Sequence, residues 1–489
     1  MKNLILWVIF SSTGPLCLAF LVASHVFWSS EEEDSSRRSW LRLYAFLETV
    51  WWLLLRWSIT HLDERPRSLS ALKRERSRSA IDKLLREEMA DADGGREFVS
   101  GWFFNKPFST LAREDLLHWW SWVAANAVSF EKAQDPDQLS KEVDAIRKEL
   151  SGDTILDKDP EEEKTRARCI RLTQDSLRDK ALAKPLWLYA LLRVGISQLA
   201  SGLVMRRLGF RSERFGKLWF WIWRNRQLKD TANCPSVFIH GLGLGLFPYA
   251  ALLGQFVDEA RTTKRPGIIV PDLFYVALAS PLEIAWRGGI PDADSHCISV
   301  ENALRSVASK GPADFFVHSY GSVIASWLLK DKAHLIRALA LAEPVSVLIH
   351  HARVARSFLY EPHAQKSLVK AIVSRAVATD VGVVHVLMRH FWWFENTIFI
   401  QDLHRLNHPP LLLLSAEDEY TPSVLIRDRL RAYDLEPSQD SPEKAPKVVW
   451  FKGALHGDVV LSPSMRKRYF DEFNALVHRC SDSTHIKVS

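Results

Sequence analysis

Residues 315–322 read Phe-Phe-Val-His-Ser-Tyr-Gly-Ser, and they predict a buried strand, a sharp corner at Ser319 and the start of a helix. Gly321 has no side chain, so the strand and the helix can cross closely there. A serine on such a corner projects its hydroxyl from the end of a sheet, which is the geometry of an exposed nucleophile. Similar clusters also occur at strand–helix turns without a catalytic role, so the surrounding chain has to distinguish the two interpretations.

From about residue 215 onwards, the sequence around this corner alternates between short β-type runs and helical stretches. This alternation predicts an α/β fold, with a mostly parallel sheet wrapped by helices. The predicted strands are 218–223, 236–240, 267–270, 315–317, 338–342, 411–414 and 448–451. Open α/β sheets carry their sites at the carboxyl ends of the strands, so the residues just after these runs are the candidates for chemistry.

A serine hydroxyl becomes a strong nucleophile only when a base takes its proton and an acid orients that base. In this class of fold the chain order is serine, acid, histidine. Asp418 follows the sixth run and is the predicted acid. Its neighbours Glu417 and Glu419 are alternatives, and Glu343 after the fifth run is a less favoured one. His456 follows the last run and is the predicted base.

A glycine-rich loop, His-Gly-Leu-Gly-Leu-Gly at residues 240–245, follows the second run. Its glycines let backbone N–H groups approach a ligand, and in acyl transfer such groups hold the developing oxyanion. A nucleotide-binding loop is the alternative interpretation. However, the spacing is not G-x-G-x-x-G, and the next acid at a strand end, Asp272, lies further on than the roughly 20 residues expected. The loop therefore favours acyl-transfer chemistry.

Together these motifs resemble the α/β-hydrolase fold family of serine hydrolases over about residues 215–480. The resemblance implies Ser319 as nucleophile, Asp418 as acid and His456 as base. The chain is also similar to uncharacterised membrane-anchored fungal-type members, which share the loop Phe-Ile-His-Gly-hydrophobic-Gly-hydrophobic-Gly and a Trp-rich N-terminal part. One departure is Val317, which stands where the G-x-S-x-G pattern has its first glycine. A bulky residue there predicts a distorted turn.

The same resemblance covers the oxyanion loop, where His240, Gly241 and Gly243 match the family's pattern. It implies that the backbone N–H groups of Leu242 and Tyr320 are the donors that stabilise the oxyanion.

Residues 3–28 carry no charge, are mainly apolar and are long enough to cross a bilayer. A signal peptide is the alternative, but its apolar region spans only about 7–15 residues, so a retained anchor is predicted. A second apolar block at 40–60 contains charges and is predicted to be a return helix or an interfacial helix. The predicted domains are an anchor (1–60), a helical Trp-rich and charged region (61–213) and a catalytic domain (214–480) with a lid at about 345–408.

Charge around the apolar blocks predicts the orientation. An acidic loop at 31–34 separates them and a basic stretch at 65–78 follows, and positive residues favour the cytoplasmic side. The catalytic domain is therefore predicted to be cytosolic, on the endoplasmic reticulum or another endomembrane. Residues 131–182 are predicted to be an exposed helix and linker, and 185–210 a packed or interfacial helix rather than a third span.

Composition excludes several other classes. The net charge is +6 and the basic residues are mostly interleaved with acidic ones, which disfavours nucleic-acid binding. The five cysteines are scattered without a C-x-x-C pair, so neither a zinc site nor a disulfide framework is indicated. The histidines of the predicted lid lack the ligand spacing of a metal site. No metal and no cofactor are therefore predicted.

The predicted function is a membrane-anchored serine hydrolase that cleaves carboxylic esters, with membrane lipids as the expected substrates. Aromatic runs at 358–360 and 392–394 either line an apolar acyl pocket or pack the lid against the sheet. An acyltransferase is an alternative, because an acyl-enzyme can pass its group to an alcohol when water is excluded. A catalytically inactive domain that serves as a membrane scaffold is the alternative from another class.

Overall fold

The computed structural model describes residues 2–27, 35–64, 69–151, 166–225, 233–308, 311–361, 368–404, 406–435 and 446–485. The predicted acidic loop at 31–34 lies outside these ranges, as does the middle of the segment predicted to be a linker.

An eight-stranded sheet forms the centre of the structure. Its strands are β1 (Arg211–Phe215), β2 (Leu218–Arg224), β3 (Ser236–Ile239), β4 (Gly267–Pro271), β5 (Ala313–His318), β6 (Ile336–Ala342), β7 (Leu411–Ser415) and β8 (Lys447–Phe451). They lie in the order β1-β2-β4-β3-β5-β6-β7-β8. The pairs β1–β2 and β2–β4 are antiparallel and the other pairs are parallel. This is the α/β-hydrolase fold, so the predicted fold class is confirmed for this part of the chain.

All seven predicted β-type runs form strands, and the eighth strand is β1, which the sequence pattern does not predict. β1 reads Arg-Ser-Glu-Arg-Phe, and its side chains are exposed or half-buried along its whole length. It pairs only with β2 at the edge of the sheet. A polar edge strand lacks the apolar run by which buried strands are recognised.

Helices precede the sheet and connect its strands. The N-terminal helices are α1 (Lys2–Phe27), α2 (Ser35–Leu62), α3 (Ala71–Glu88), α4 (Ala92–Trp102), α5 (Arg113–Ala125), α6 (Pro136–Ser151) and α7 (Leu186–Arg207). Those between strands are α8 (Ala250–Thr262), α9 (Pro281–Trp286), α10 (Ala293–Val307) and α11 (Gly321–Asp331). Between β6 and β7 lie α12 (Ala352–Ala355), α13 (Leu368–Ala378), α14 (Val381–Arg389), α15 (Trp393–Asn396) and α16 (Ile400–Leu403). The last are α17 (Ser423–Leu435), α18 (Asp458–Leu461) and α19 (Pro463–His485).

Apolar side chains cover both faces of the sheet. On β5, Phe315 and Val317 belong to one buried cluster and Phe316 belongs to another. Successive residues of a strand point to opposite faces, so a run that is apolar at every position is a strand buried on both sides. The continuous apolar character of β5 therefore follows from its central place in the sheet.

The helices between β6 and β7 pack together with α3 to α6 in one layer, which we call the cap. The cap comprises residues 69–151, 166–182, 345–361, 368–404 and 406–408. The indole N–H of Trp393 donates to the carbonyl oxygen of Val123 at 3.1 Å. The N–H of Leu182 donates to the carbonyl oxygen of Thr379 at 2.9 Å. The segment predicted as a lid is therefore joined to the N-terminal helical region by hydrogen bonds.

The segment 131–182 is predicted to be exposed, and this prediction is wrong for its described C-terminal part. Ile170, Gln174 and Leu177 are all fully buried. The N–H of Ile170 donates to the carbonyl oxygen of Trp102 at 2.9 Å, which fastens the segment to the end of α4. Few apolar residues at irregular spacing stand among many charges here, so the sequence pattern does not reveal the burial.

Most of the large apolar side chains that are exposed in the described parts of the chain lie on α1, α2 and α7. On α2, Trp40, Leu47 and Trp57 are exposed, whereas Glu48 is fully buried. The Glu48 carboxylate accepts a hydrogen bond from the N–H of Leu186 at 2.8 Å. A helix that faces water carries its polar residues outside. On α2 the arrangement is the opposite, with large apolar residues outside and a carboxylate inside.

By length and hydropathy, α7 is long and apolar enough to cross a membrane. The consecutive cap helices Ala371–Ala378 and Val381–Arg389 satisfy the same criteria together, but they bend by 54° at their junction. Within α1, the apolar helical stretch is Ser12–Ser24. These values concern length and composition, so the anchor at 1–60 stays a prediction.

Candidate active site

Ser319 lies at the corner between β5 and α11, with its backbone in the left-handed region at a φ of 52°. Its N–H donates to the carbonyl oxygen of Ala342, at the end of β6, at 2.9 Å. A Cβ atom on Gly321 would lie 2.5 Å from the carbonyl oxygen of Ile239, so glycine is needed for α11 to pass β3 this closely. A strained serine on a strand-to-helix turn is the geometry of a nucleophile elbow.

Val317 precedes this corner inside β5. It pairs with Ile239 on one side and with Leu341 on the other, and its side chain is fully buried in the core. Its φ is not positive, so the backbone there does not require glycine. The valine side chain is accommodated in the core while Ser319 keeps its left-handed turn.

The structure brings Ser319, His456 and Asp418 together in one line of hydrogen bonds. Ser319 Oγ lies 2.8 Å from His456 Nε2. His456 Nδ1 lies 3.0 and 2.9 Å from the two carboxylate oxygens of Asp418. A neutral imidazole that donates from Nδ1 to the carboxylate accepts the serine proton at Nε2. The arrangement can therefore remove a proton from the serine hydroxyl.

The loop after β7 fixes the position of the Asp418 carboxylate. Asp418 Oδ1 accepts hydrogen bonds from the N–H groups of Tyr420 and Thr421 at 2.8 and 2.7 Å. The alternative acid Glu419 accepts instead from the backbone N–H of His456 at 3.0 Å. Among the three consecutive acids, Asp418 is the one that contacts the His456 ring.

The charges around His456 favour its protonated form. Burial opposes protonation, but the Asp418 carboxylate and, further away, those of Glu343 and Glu419 outweigh burial and raise the pKa of His456 to about 9. An imidazolium is thus stabilised at this position. In acyl transfer, an imidazolium forms each time the histidine takes a proton from serine or water.

In the glycine-rich loop, the N–H of Leu242 is a backbone donor that other described groups leave unused. The N–H of Gly241 donates to the Tyr249 hydroxyl at 3.1 Å, and that of Gly243 donates to a backbone carbonyl at 3.0 Å. Within the described parts of the chain, no hydrogen bond engages the N–H of Leu242 between them or that of Tyr320. Leu242 and Tyr320 line the same cavity as the serine. These two donors are available to a ligand.

His240 holds the start of this loop. It is almost fully buried, and burial lowers its pKa to about 4, so the ring is neutral. Its Nδ1 lies 2.8 Å from the carbonyl oxygen of Gly241, and its Nε2 accepts from the N–H of Leu273 at 3.3 Å. Both ring nitrogens contact backbone groups, so His240 positions the loop.

A second buried network, which the sequence does not predict, joins the loop to the other side of the site. Tyr249 donates its hydroxyl proton to His318 Nδ1 at 2.8 Å, and His318 Nε2 donates to Glu343 Oε2 at 2.9 Å. Glu343 Oε2 also accepts from the N–H of Gly457 at 2.7 Å. With the bond from Gly241 to Tyr249, the chain of contacts runs from the glycine-rich loop to the residue after His456.

The protonation states in this network are mutually consistent. Burial lowers the pKa of His318 and outweighs the opposing effect of Glu343, so its ring is neutral. Burial works against ionisation of Glu343, but the hydrogen bond from His318 and the charge of His456 keep its pKa below the usual range. The Glu343 carboxylate therefore accepts every hydrogen bond that reaches it.

An apolar cavity of about 130 Å³ opens beside Ser319. Ser319, Tyr320, His456 and Leu242 line it at the site. The cap lines the rest mainly with apolar and aromatic side chains, among them Trp102, Trp122, Leu172, Phe358, Leu387 and Trp393.

The predicted aromatic runs contribute to the cavity in part. Phe358, Leu359 and Trp393 line it, whereas the Tyr360 hydroxyl donates to the carboxylate of Asp175. Trp102, Trp122 and Leu172 come from the region before the sheet, and the sequence pattern does not predict their place at the site. Only the fold reveals such contacts between distant segments.

Among the residues that the structure describes, two groups of histidine and carboxylate side chains lie close enough to hold a metal ion: His318 with Glu343 and His456, and Glu88 with His350 and His351. The first group is the network described above. In the second, Glu88 Oε1 lies 3.1 Å from His350 Nε2, and Glu88 Oε2 accepts from Arg429 at 2.9 Å. Arg429 therefore balances the charge of Glu88 without an ion. The sequence pattern does not predict that Glu88 lies beside these histidines.

No protein-family model matches the chain, and no curated protein matches its sequence. Several solved structures share similar architecture at low identity. One is a bacterial membrane phospholipase A described as a virulence factor, with 15% identity, a TM-score of 0.38, and coverage of 60% of this chain and 93% of that one. Another is a thermophilic esterase from Thermogutta terrifontis, with 13% identity, a TM-score of 0.38, and coverage of 55% and 99%.

A putative lipase from Acinetobacter baumannii is similar at 13% identity and a TM-score of 0.38, covering 58% of this chain and 96% of the lipase. These structures differ from the chain too much to inform its chemistry. The fold assignment given above rests on the strand order and strand directions of this chain.

Proposed function

We propose that the protein is a serine hydrolase that cleaves carboxylic esters through an acyl-enzyme on Ser319. The observation that carries this proposal is the 2.8 Å contact between Ser319 Oγ and His456 Nε2, with Asp418 at the other ring nitrogen. A serine, a base and an orienting acid in this order define the machinery of nucleophilic acyl transfer.

In the first half of the reaction, Ser319 Oγ attacks the ester carbonyl carbon while His456 Nε2 takes the serine proton. The negative charge that develops on the carbonyl oxygen is stabilised by the N–H groups of Leu242 and Tyr320. When the carbon–oxygen bond to the alcohol breaks, His456 gives its proton to the departing alkoxide. An acyl-enzyme on Ser319 and a free alcohol result, and His456 is neutral again.

In the second half, a water molecule attacks the acyl carbonyl carbon and gives a proton to His456 Nε2. The bond between the acyl carbon and Ser319 Oγ breaks, and His456 returns the proton to the serine oxygen. A carboxylic acid leaves. Throughout both halves, Asp418 accepts the hydrogen bond from His456 Nδ1 and stabilises the imidazolium that forms twice.

The cavity supports an apolar acyl group as the substrate class. Its wall is mainly aromatic and aliphatic, with the reacting groups Ser319 and His456 on one side. Burial of apolar surface contributes roughly 25 cal/mol per Å², so a hydrocarbon chain in this cavity supplies binding energy that a short acetyl group cannot supply. We therefore favour esters with long acyl chains, as in membrane lipids.

The N-terminal helices support a location at a membrane. The exposed side of α2 carries Trp40, Leu47 and Trp57, and its carboxylate at Glu48 is turned inwards. Aromatic residues favour the boundary between lipid and water. We propose that α1 and α2 anchor the enzyme, with the catalytic domain on the cytosolic side of an endomembrane, so that lipid esters lie within reach.

A fluorophosphonate probe tests the function, because it reacts with an activated serine and needs no knowledge of the substrate. We expect the folded wild-type protein to be labelled and the Ser319→Ala variant to remain unlabelled. Ser212→Ala, at an exposed serine on β1, is the matched control and should label like the wild type. Folded wild-type protein that fails to react would instead support an inactive scaffold.

A further inference from the structure

We propose that the α/β domain itself docks on a lipid bilayer through α7, and that the inner side of this helix holds the glycine-rich loop of the site. The docking surface is the outer side of α7, at Trp187, Leu191, Val194, Leu199 and Leu203. The occupant is a bilayer that contains anionic lipids. Contact with the bilayer alone does not depend on the proposed function, whereas its consequence for catalysis rests on it.

The polarity of α7 is reversed relative to a helix that faces water. Its outer side exposes large apolar residues, including Leu191 at 52% and Leu199 at 66%. Its buried side contains the polar residues Arg193, Ser197 and Ser201 beside Leu188, Leu192 and Met205. A helix of a water-soluble surface carries its apolar stripe inside and its charges outside. A helix with apolar residues outside and polar residues inside fits a lipid environment.

The one charge inside this helix before its last turn is fully compensated by the protein. Arg193 Nε donates to Glu283 at 2.9 Å, and its NH1 group donates to the carbonyl oxygen of Ala277 at 2.8 Å and to Ser197 Oγ at 3.0 Å. Paired and hydrogen-bonded charges turned towards the protein are the ones tolerated at membrane depth. Arg193 therefore does not prevent the outer side from entering lipid.

The outer side of α7 continues into the surface of α2. The Trp51 indole N–H donates to the carbonyl oxygen of Lys184 at 3.0 Å, and the Trp51 ring lies 4.7 Å from that of Tyr189. Next to α7, the short helix α9, whose Glu283 contacts Arg193, exposes Leu282 at 44% and Trp286 at 84%. The apolar surface thus extends from the proposed anchor onto the α/β domain.

Charge at the end of α7 identifies lipid as the occupant. Basic side chains are exposed at the end of α7, along β1 and in the turn after β1, namely Arg206, Arg207, Arg211, Arg214 and Lys217. Glu213, the acid among them, is paired with Arg224. An apolar helix side bordered by basic residues matches the acyl region and the anionic headgroups of a bilayer leaflet.

The inner side of α7 contacts the loop that carries the proposed oxyanion donor. Ser201 Oγ accepts a hydrogen bond from the N–H of Phe247 at 2.9 Å. A Cβ atom on Gly245 would lie 2.8 Å from Ser197 Oγ, so the loop and the helix are in close contact. Ser197 Oγ in turn donates to the carbonyl oxygen of Ala277 at 3.1 Å. A shift of α7 on binding lipid would therefore displace the backbone that places Leu242.

Fluorescence from single positions tests the docking. The full chain carrying Leu199→Cys is labelled with an environment-sensitive dye and reconstituted in vesicles of phosphatidylcholine with a minority of phosphatidylserine. We expect lipids brominated in their acyl chains to quench this dye and aqueous iodide to spare it. Ile298→Cys is the matched control, because Ile298 is exposed at 53% on α10 and is not among the residues that form the docking surface. At Ile298→Cys, aqueous iodide should quench the dye and brominated lipids should not.

The native chain contains five cysteines, with which the dye can also react. The wild-type protein is therefore labelled in parallel to measure their contribution. Iodide quenching at Leu199→Cys as strong as at Ile298→Cys would overturn the proposal. The proposal would also be overturned if the dye at Leu199→Cys were protected from iodide without being quenched by brominated lipid, since protein would then cover α7.

The consequence for catalysis has a separate test. The double variant Leu199→Glu with Leu203→Glu should lose most of its activity on an ester embedded in vesicles but retain activity on a short soluble ester. Ile298→Glu should affect neither. Equal activity of the double variant and the wild type on vesicles would overturn the link between docking and catalysis. Failure of the wild type to react with the fluorophosphonate concerns the proposed function alone, because the dye measurement needs no catalysis.

Discussion

The backbone N–H of Gly457 donates a hydrogen bond to Glu343 Oε2 at 2.7 Å, one residue beyond His456. The same carboxylate oxygen accepts from His318 Nε2 at 2.9 Å. Through His318 and Tyr249, Glu343 is linked to the glycine-rich loop. Glu343 therefore connects the loop that carries His456 with the glycine-rich loop. Within the described residues, no hydrogen bond joins Glu343 to Ser319.

The negative charge of Glu343 near His456 predicts an effect on the pH dependence of the reaction. His456 can act as a base only when it is neutral, so the rate of fluorophosphonate labelling should rise with pH towards its pKa of about 9. The Glu343→Gln variant removes a negative charge that helps to raise this pKa, so the rising limb should move to lower pH. The measurement is the labelling rate as a function of pH, with Glu417→Gln as control. A limb at the same pH in the Glu343→Gln variant would contradict the role of Glu343.

The same variant should also lose stability. Gln carries N–H donors where Glu343 presents only acceptors to Gly457, His318 and Ser415. Leaving a buried group unsatisfied costs about 1–3 kcal/mol, and we expect a decrease of that size in the free energy of unfolding. Denaturant titration measures it, and an unchanged midpoint would exclude a structural role for the network.

The identity of the acid can be tested by substitution. Asp418→Asn preserves shape but removes the charge that orients His456, and the expected loss of turnover is on the order of 10⁴-fold. Glu419→Gln is the matched control, because Glu419 contacts only the backbone N–H of His456. Kinetics on a chromogenic ester give both values. A larger loss in the Glu419 variant than in the Asp418 variant would mean that the acid is assigned to the wrong residue.

The cavity predicts selectivity for acyl chains. Trp102→Leu enlarges the cavity and should shift the preference towards longer chains, whereas Ala355→Phe fills it and should shift the preference towards shorter ones. Relative kcat/KM on a series of esters of increasing acyl length measures both shifts. Trp219→Leu, at a partly exposed tryptophan on β2, should leave the series unchanged. Identical profiles for all three variants would place the acyl group outside this cavity.

The crossing of α11 over β3 predicts a strong effect of one methyl group. In Gly321→Ala the new Cβ would lie 2.5 Å from the Ile239 carbonyl oxygen, and such overpacking costs about 1–3 kcal/mol or more. Gly254→Ala is the control, since its Cβ would approach nothing closer than 3.8 Å. Thermal unfolding compares the two. Equal melting temperatures would show that α11 can move away from β3 without cost.

The buried strands could be predicted from sequence because each is a short apolar run between helical stretches, as in β5 and β7. The order of Ser319, Asp418 and His456 along the chain also indicated which strand ends should carry chemistry. The choice between Asp418 and Glu343 could not be made from spacing, since both follow a strand. It depends on how each loop turns, which places Asp418 at the imidazole and Glu343 behind it.

Other features were hidden for different physical reasons. β1 is polar and lies at an edge, so no apolar run marks it. The buried segment around Ile170 has few apolar residues and no regular period. Glu48 counted against a membrane helix in the sequence, whereas in the structure it is turned inwards and holds the start of α7.

The cap has a consequence for how the protein is made. Its first part, which includes Trp102 and Trp122, leaves the ribosome well before the segment around Trp393 against which it packs. Contacts between such distant segments form late in folding, because the intervening chain must be ordered first. We expect the N-terminal helices to dock only after the sheet has formed. A fragment that starts at residue 214 would lack Trp102, Trp122 and Leu172, which line the cavity, so we expect it to be inactive.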